Sequence, residues 1–361
     1  MEDAERPFWV AWNRVRGIGP ARFARVLEVF GKAQIAWEAP LADLRATGFD
    51  DKLVEAIGRQ RVKIEPEREM ERLAHSGVTA LTLRDDDYPR LLREISLPPA
   101  VLYVRGMLLP QDEMALAIVG TRRISTYGKQ VTQRLATELV GRGLTIVSGL
   151  ARGVDAIAHT AALEANGRTI AVLGCGPDLV YPPEHAKLAE RIAAQGAVVS
   201  EFAVGMPPEA GNFPARNRII SGLSLATLLT EAPQGSGALI TANFATDQGR
   251  DVLAVPGNIT QRNSAGCNDL IKHGASCVTA VDDVVDALNL HLVPQQLDMR
   301  ALLPEDPTEA RILALLSDEP RHADEVCQMA QLPTGTVTST LMMLELKGMA
   351  RHLGNMLYVT A

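Results

Sequence analysis

The sequence predicts an α/β protein: a Rossmann-like, doubly wound and mostly parallel sheet, with a helical domain before it and a winged-helix domain after it. Three observations carry this. Short, continuous apolar runs alternate with helical stretches from about residue 76 to 292. Before residue 72 the apolar residues recur only at helical spacing, and after residue 307 three helical segments are followed by a hairpin signal.

The first segment, 1–72, places Phe8, Val10, Ala11 and Val15, then Phe23, Val26, Leu27 and Phe30, at helical intervals. Gly17-Ile18-Gly19-Pro20 breaks the pattern, as in a helix-hairpin-helix (SAM-like) unit. Turn amides of that kind can hold a nucleic-acid phosphate, and a plain helical hairpin without a ligand is an equal alternative. In the second segment, 76–292, Val78 to Leu83 and Val101 to Val104 are apolar runs, followed by strands over Ala115–Val119, Leu144–Val147, Thr169–Leu173, Ala197–Ser200, Leu225–Thr230 and Val252–Val255. Helices are expected between them, over Ser125–Arg142, Val154–Ala165, Glu184–Gln195, Arg216–Gly222 and Ala238–Gln248. Strands apolar along their whole length belong to a parallel sheet covered on both faces. Residues 293–307 carry three prolines and no apolar period, and read as a linker. In 308–361, a helix near Thr308, a second over His322–Ala330 and a third over Thr334–Lys347 precede two short strands flanking Gly354-Asn355.

Composition limits the function. The chain of 361 residues carries 36 Lys and Arg against 43 Asp and Glu, a formal net charge of −7. A general polyanion-binding coat of positive charge is excluded; a local basic patch is not. Only 15 residues are aromatic (3 Trp, 5 Tyr, 7 Phe), so a nucleic-acid site must rely on backbone and charge. Four cysteines without Cys-x-x-Cys spacing give no zinc signal and read as reduced, buried thiols. The acidic start has no signal-peptide character, and the longest charge-free stretch, Val326 to Leu344, is rich in Thr, Gln, Pro and Gly. A soluble, cytoplasmic protein without membrane contact is expected.

In an open α/β sheet the ligand lies beyond the carboxyl ends of the strands. That rim carries Gly120-Thr121-Arg122-Arg123, Ser148-Gly149 through Asp155, Gly174-Cys175-Gly176-Pro177 with Tyr181-Pro182-Pro183, Glu201 with Phe213 through Arg218, and Glu231 through Gly237. Glycine turns feeding helices expose free amides at positive dipole ends, an anion surface that needs little lysine. Between Ile118 and Thr160 six basic residues face two acidic ones, a local net of +4. Arg122, Arg216 and Arg218 stand in or beside the turns. Gly174-Cys175-Gly176 lacks the third glycine of a dinucleotide fingerprint, because position 179 is Leu. There is no phosphate-binding loop of the Gly-x4-Gly-Lys type and no nucleophile elbow. Neither a cofactor nor a metal is expected. Asp155, one turn before His159, reads as a cap for the Arg152–Gly153 turn rather than as a catalytic acid.

These segments resemble the DNA-processing protein DprA (Smf) family. The resemblance rests on Gly120-Thr121-Arg122, Ser148-Gly149-Leu150-Ala151-Arg152-Gly153-Val154-Asp155, Ala158-His159, Phe213-Pro214-Ala215-Arg216-Asn217-Arg218, Gly235-Ser236-Gly237 and Ala254-Val255-Pro256-Gly257-Asn258. It covers about residues 76–280. It implies a recombination mediator rather than an enzyme: a homodimer that coats incoming single-stranded DNA during natural transformation and loads the RecA recombinase. By motif position it implies DNA contacts at Gly120, Thr121, Arg122, Ser148, Gly149, Arg152, Phe213, Arg216, Asn217, Arg218, Gly235, Ser236 and Gly237. Arg122 would clamp a phosphate, and Phe213 would be the one stacking aromatic. A dimer patch near Leu270 and Ile271 is implied in the same way. Basic residues are missing around Tyr181-Pro182-Pro183 and before Phe213, so charge would have to come from elsewhere, such as Arg123 or Arg152.

Two other readings compete. One is a nucleotide-processing hydrolase on a related fold: the lysine-decarboxylase-like group uses Pro-Gly-Gly-x-Gly-Thr-x-x-Glu at the strand end comparable to Pro233–Thr241, where Thr241 stands in place of the acid and Glu231 is close enough to keep the question open. A transcription regulator would read DNA with the Thr334–Lys347 helix, which has one Lys, offset by Glu345. The winged helix is therefore not expected to read sequence.

Overall fold

The computed structural model describes residues 4–290, 307–317, 320–346, 350–354 and 356–360; the expected linker lies outside them up to residue 306. The chain divides into two compact units, Met1–Leu288 and Asn289–Ala361.

The first unit is built on a nine-stranded sheet. Its strands are β1 (Val78–Thr82), β2 (Val101–Gly106), β3 (Ala115–Val119), β4 (Thr145–Ser148), β5 (Thr169–Val172), β6 (Ala197–Ser200), β7 (Ala226–Leu229), β8 (Asp251–Ala254) and β9 (Ser276–Cys277). The spatial order is β1-β2-β6-β5-β4-β3-β7-β8-β9. From β3 the chain steps through β4 and β5 to β6, then returns to the other side of β3 for β7, β8 and β9, and all of these pairings are parallel. The expected doubly wound sheet is present, and its reversal of winding falls between β3 and β7. β1 and β2 extend it antiparallel beyond β6. β3 to β7 are buried along their whole length, as their uninterrupted apolar sequences require.

Helix bounds follow local signals. Ser125 accepts a hydrogen bond from the Gly128 amide (3.1 Å) and starts the helix Thr126–Gly141. The helix Asn212–Gly222 begins four residues before the expected Arg216. β9 has no sequence signal: it is two exposed residues long, and pairing with β8 makes it a strand.

The N-terminal helices Arg6–Arg14 and Pro20–Phe30 meet at a turn in which Gly17 has φ +94°. Their core holds all three tryptophans: Trp9 meets Phe23 edge-on at 4.9 Å, and Trp12 meets Trp37 at 5.4 Å. The same core continues into Val101 and Tyr103 of β2, so these helices and the sheet share one apolar interior.

The second unit has helices Pro307–Leu313, Ala323–Ala330 and Thr334–Leu346 with strands β10 (Arg321–His322), β11 (Ala350–Gly354) and β12 (Leu357–Thr360), ordered β10-β12-β11. Ile312, Val326, Val337, Leu341 and Tyr358 form its core, in the arrangement of a winged helix. Among the described residues no helix is long and apolar enough to cross a membrane.

Candidate nucleic-acid interface

The carboxyl ends of β3 and β7 open onto a cleft of about 760 Å³ at the reversal of winding. Gly120 to Arg123 enter it after β3, Ala151 and Asp155 after β4, Phe213, Pro214, Arg216 and Asn217 from the helix Asn212–Gly222 after β6, and Ser236 to Ala238 after β7. Each turn is fixed from behind. The Thr121 amide donates to the Glu231 carbonyl (2.7 Å), the Ser125 amide to the Glu231 carboxylate (2.8 Å), and the Val154 amide to the Thr121 carbonyl (3.2 Å). Gly153, with φ +78°, passes so close to the Thr121 carbonyl that any Cβ would overlap it.

The guanidinium groups divide into two classes. Arg122, Arg123 and Arg262 line the cleft, are exposed, and make no ion pair among the described residues. Asn263 donates to the Arg123 carbonyl (2.9 Å) and ties the last two of these together. Arg216 and Arg218, both expected as DNA contacts, are engaged with groups of the protein itself. Arg216 is 4% exposed; its Nη1 donates to the carbonyls of Val172 and Gly149. Arg218 makes a two-pronged pair with Glu201 (2.6 and 2.7 Å), both side chains 11% exposed, and donates to the Leu97 carbonyl. Both carry carbon stems long enough to fold back into the strand-end layer, where backbone and carboxylate acceptors await them. Arg152 is exposed and paired with Glu184 at 2.5 Å.

Other expected contacts also separate. The Ser148 hydroxyl is fully buried and donates to the Ile118 carbonyl (2.6 Å), so it joins β3 to β4. Gly120 and Gly149 serve close packing: a Cβ on Gly149 would lie 2.7 Å from Arg216 Nη2 and 2.8 Å from Asp155 Oδ2. Thr121 is buried, and its hydroxyl accepts from the Arg123 amide (3.1 Å). Gly235 adopts φ +72° with open space around it, and Ser236 caps the helix Gly237–Asp247. Asn217 donates to the Gly237 carbonyl (3.3 Å). Phe213 lines the cleft against Tyr181, ring centres 5.4 Å apart, so the stacking surface is a pair and not one ring. Leu270 and Ile271 lie half-buried on the helix Ala265–Lys272, just before the edge strand β9.

The titratable groups nearby are structural. Asp155 accepts from the amides of Gly149 (3.1 Å) and Ala151 (3.3 Å), which fixes the turn it was expected to cap. Burial raises its carboxyl, against the pull of Arg216 and those amides. Burial likewise lowers Arg216 to about 10, opposed by Asp155, so the guanidinium stays charged at neutral pH. His159 is fully buried against Thr169 Oγ1 (2.6 Å), and burial lowers it to about 3. It is neutral and away from the rim. Glu231 is 3% exposed and braces the 121–125 loop from below. Among the described residues no group of three His, Cys, Asp or Glu side chains gathers to hold a metal. Of the four free cysteines, Cys175 and Cys267 are buried as expected, whereas Cys277 is exposed at the sheet edge.

The sequence does not mark Arg262 as a site residue, and it places Tyr181 on the rim without a role. The only sequence signal for Arg262 is a basic residue shortly after the strand-end turn Pro256-Gly257; for Tyr181, it is the Tyr-Pro turn beyond β5.

Comparison with known proteins agrees with this geometry. The model of the family described as DNA recombination-mediator protein A matches residues 79–289, and that of the DprA winged helix domain matches 297–356. Protein Smf of Synechocystis is 38% identical over 395 residues, 99% of each chain. The X-ray structure of DNA processing protein A from Streptococcus pneumoniae superposes with a TM-score of 0.68 at 33% identity, over 78% of this chain and 97% of that one. The DNA processing protein A of Helicobacter pylori, whose single-stranded DNA binding mode has been described structurally, gives a TM-score of 0.54 at 32% identity over 59% and 96%.

Proposed function

Because this chain belongs to the DNA recombination-mediator protein A family, we propose that it binds single-stranded DNA in the cleft outside β3 and β7, and that it acts by binding rather than by catalysis. One observation carries this reading: three guanidinium groups without carboxylate partners among the described residues, Arg122, Arg123 and Arg262, line an amide-rich cleft in a protein of net charge −7. Free cations at helix N-termini suit a phosphate chain. The Tyr181–Phe213 pair at the same cleft offers π-faces to bases of any identity. Gly120, Thr121, Gly235, Ser236 and Gly237 shape the loops that carry these groups.

The wider role follows the family. The protein works in the cytoplasm as a homodimer during natural transformation, protects incoming strands and loads RecA. The exposed outer edge at β9, with Leu270 and Ile271 beside it, is the proposed dimer patch. The winged helix does not read sequence: Thr334–Leu346 carries neither Lys nor Arg and exposes Met342 and Met343. A hydrolase reading lacks its acid, since Thr241 stands at the required position and the buried Glu231 carboxylate accepts the Ser125 amide.

The test is a mobility shift with single-stranded and duplex oligonucleotides of one sequence, alongside incubation with nucleoside monophosphates. Preferential retardation of the single strand, with no base released, is the expected result. Equal retardation of the duplex, or release of base, would overturn the reading.

A further inference from the structure

We propose that Arg216, together with Asn217, is a positioning clasp that sets the spacing of three strand-end loops, and that Arg216 touches no phosphate. The inference rests on the DNA-binding reading above and assigns a role within it.

Both residues stand on the helix Asn212–Gly222, which crosses beneath the cleft. Arg216 Nη1 donates to the Gly149 carbonyl (2.9 Å), in the turn after β4, and to the Val172 carbonyl at the end of β5. Its Nε donates to Asn217 Oδ1 (3.3 Å), and Asn217 Nδ2 donates to the Gly237 carbonyl at the start of the helix after β7. One continuous set of hydrogen bonds therefore joins the loops of β4, β5 and β7. Gly149 is wedged between Arg216 and Asp155, and Asp155 holds the amides of Gly149 and Ala151. Two carbonyls and the Asp155 carboxylate thus lie about a guanidinium that solvent hardly reaches, and the free arginines of the cleft sit on the loops around it.

A guanidinium committed to two backbone carbonyls is poorly placed to add a phosphate. A planar group that donates from Nη1 to two backbones and from Nε to Asn217 is nevertheless well suited to hold the three at fixed separation, a fork that needs both nitrogens. Lysine keeps the charge near Asp155 but offers no such fork. Loops that lose their spacing misplace Arg122 and the Tyr181–Phe213 pair relative to one another, and affinity falls without any phosphate contact being removed.

The experiment measures single-strand affinity of the full chain against salt for wild type, Arg216→Lys and Arg216→Gln, with thermal unfolding recorded for each. The expected result is affinity about tenfold weaker in both variants at a wild-type salt slope. A slope reduced by about 0.7 would make Arg216 a phosphate ligand, and unchanged affinity would deny it any positioning role; either overturns the proposal. Only Arg216→Gln removes the charge, so the slope is read from that variant; if it fails to fold, faster amide exchange at Gly149 and Ala151 in Asn217→Ala supports the clasp, and unchanged exchange refutes it. A wild type that shows no salt-dependent binding overturns the proposed function itself, before any variant is compared.

Discussion

Replacing Arg262 with alanine isolates the electrostatic share of binding, because Arg262 is exposed, has no ion pair among the described residues and supports no part of the core. Each phosphate held on a single strand contributes about −0.7 to the slope of log affinity against log salt. Three free guanidinium groups therefore account for a slope near −2, which lowers affinity roughly twentyfold between 50 and 200 mM salt. Arg262→Ala should leave a slope smaller by about 0.7 and weaken binding roughly tenfold at the lower salt concentration, the scale of one charge-assisted hydrogen bond. The assay is fluorescence anisotropy of a labelled oligonucleotide titrated at several salt concentrations, with the unfolding temperature as a control for folding. A variant that keeps the wild-type slope would show that Arg262 meets no phosphate, and the cleft would then lose its claim to extend past β8.

Other consequences are equally specific. Arg218→Ala should lower stability by about 3 kcal/mol in thermal unfolding, because Glu201 is left without its partner in a nearly closed site, while the salt slope of binding stays put. Phe213→Ala should weaken strand binding by about 1–3 kcal/mol at unchanged slope, as removal of a stacking face does; a changed slope would contradict that role. His159 sets a pH dependence. Its folded pKa of about 3 lies below the unfolded 6.5, so acidification protonates the unfolded chain first and stability falls as pH drops below about 6.5. Between pH 6.5 and 5 this group should cost about 2 kcal/mol in urea unfolding, and His159→Gln should remove that part of the dependence. Gly153→Ala should both destabilise the protein and weaken DNA binding, since a Cβ there displaces the Thr121–Arg122 backbone from a residue already at φ +78°.

Much of this molecule is legible along the chain. Fully apolar strands such as Ala115–Val119, separated by helices with caps such as Ser125, dictate a parallel sheet, and the parallel sheet dictates which turns share a rim. Local composition also reveals that glycines, hydroxyls and arginines gather on that rim. What each arginine does there is not a local property. Arg216 and Arg218 stand on the helix Asn212–Gly222 and Arg122 in the turn after β3, all at the same rim, yet folding sends the first to the carbonyls of Gly149 and Val172 and the second to Glu201, and leaves the third facing the cleft. Arg262 and Tyr181 join the site from loops separated from Arg122 by 140 and 59 positions, brought in only by strand order. A long, flexible cation goes to whichever acceptor the packed strands present, and those acceptors take their places only when distant segments meet.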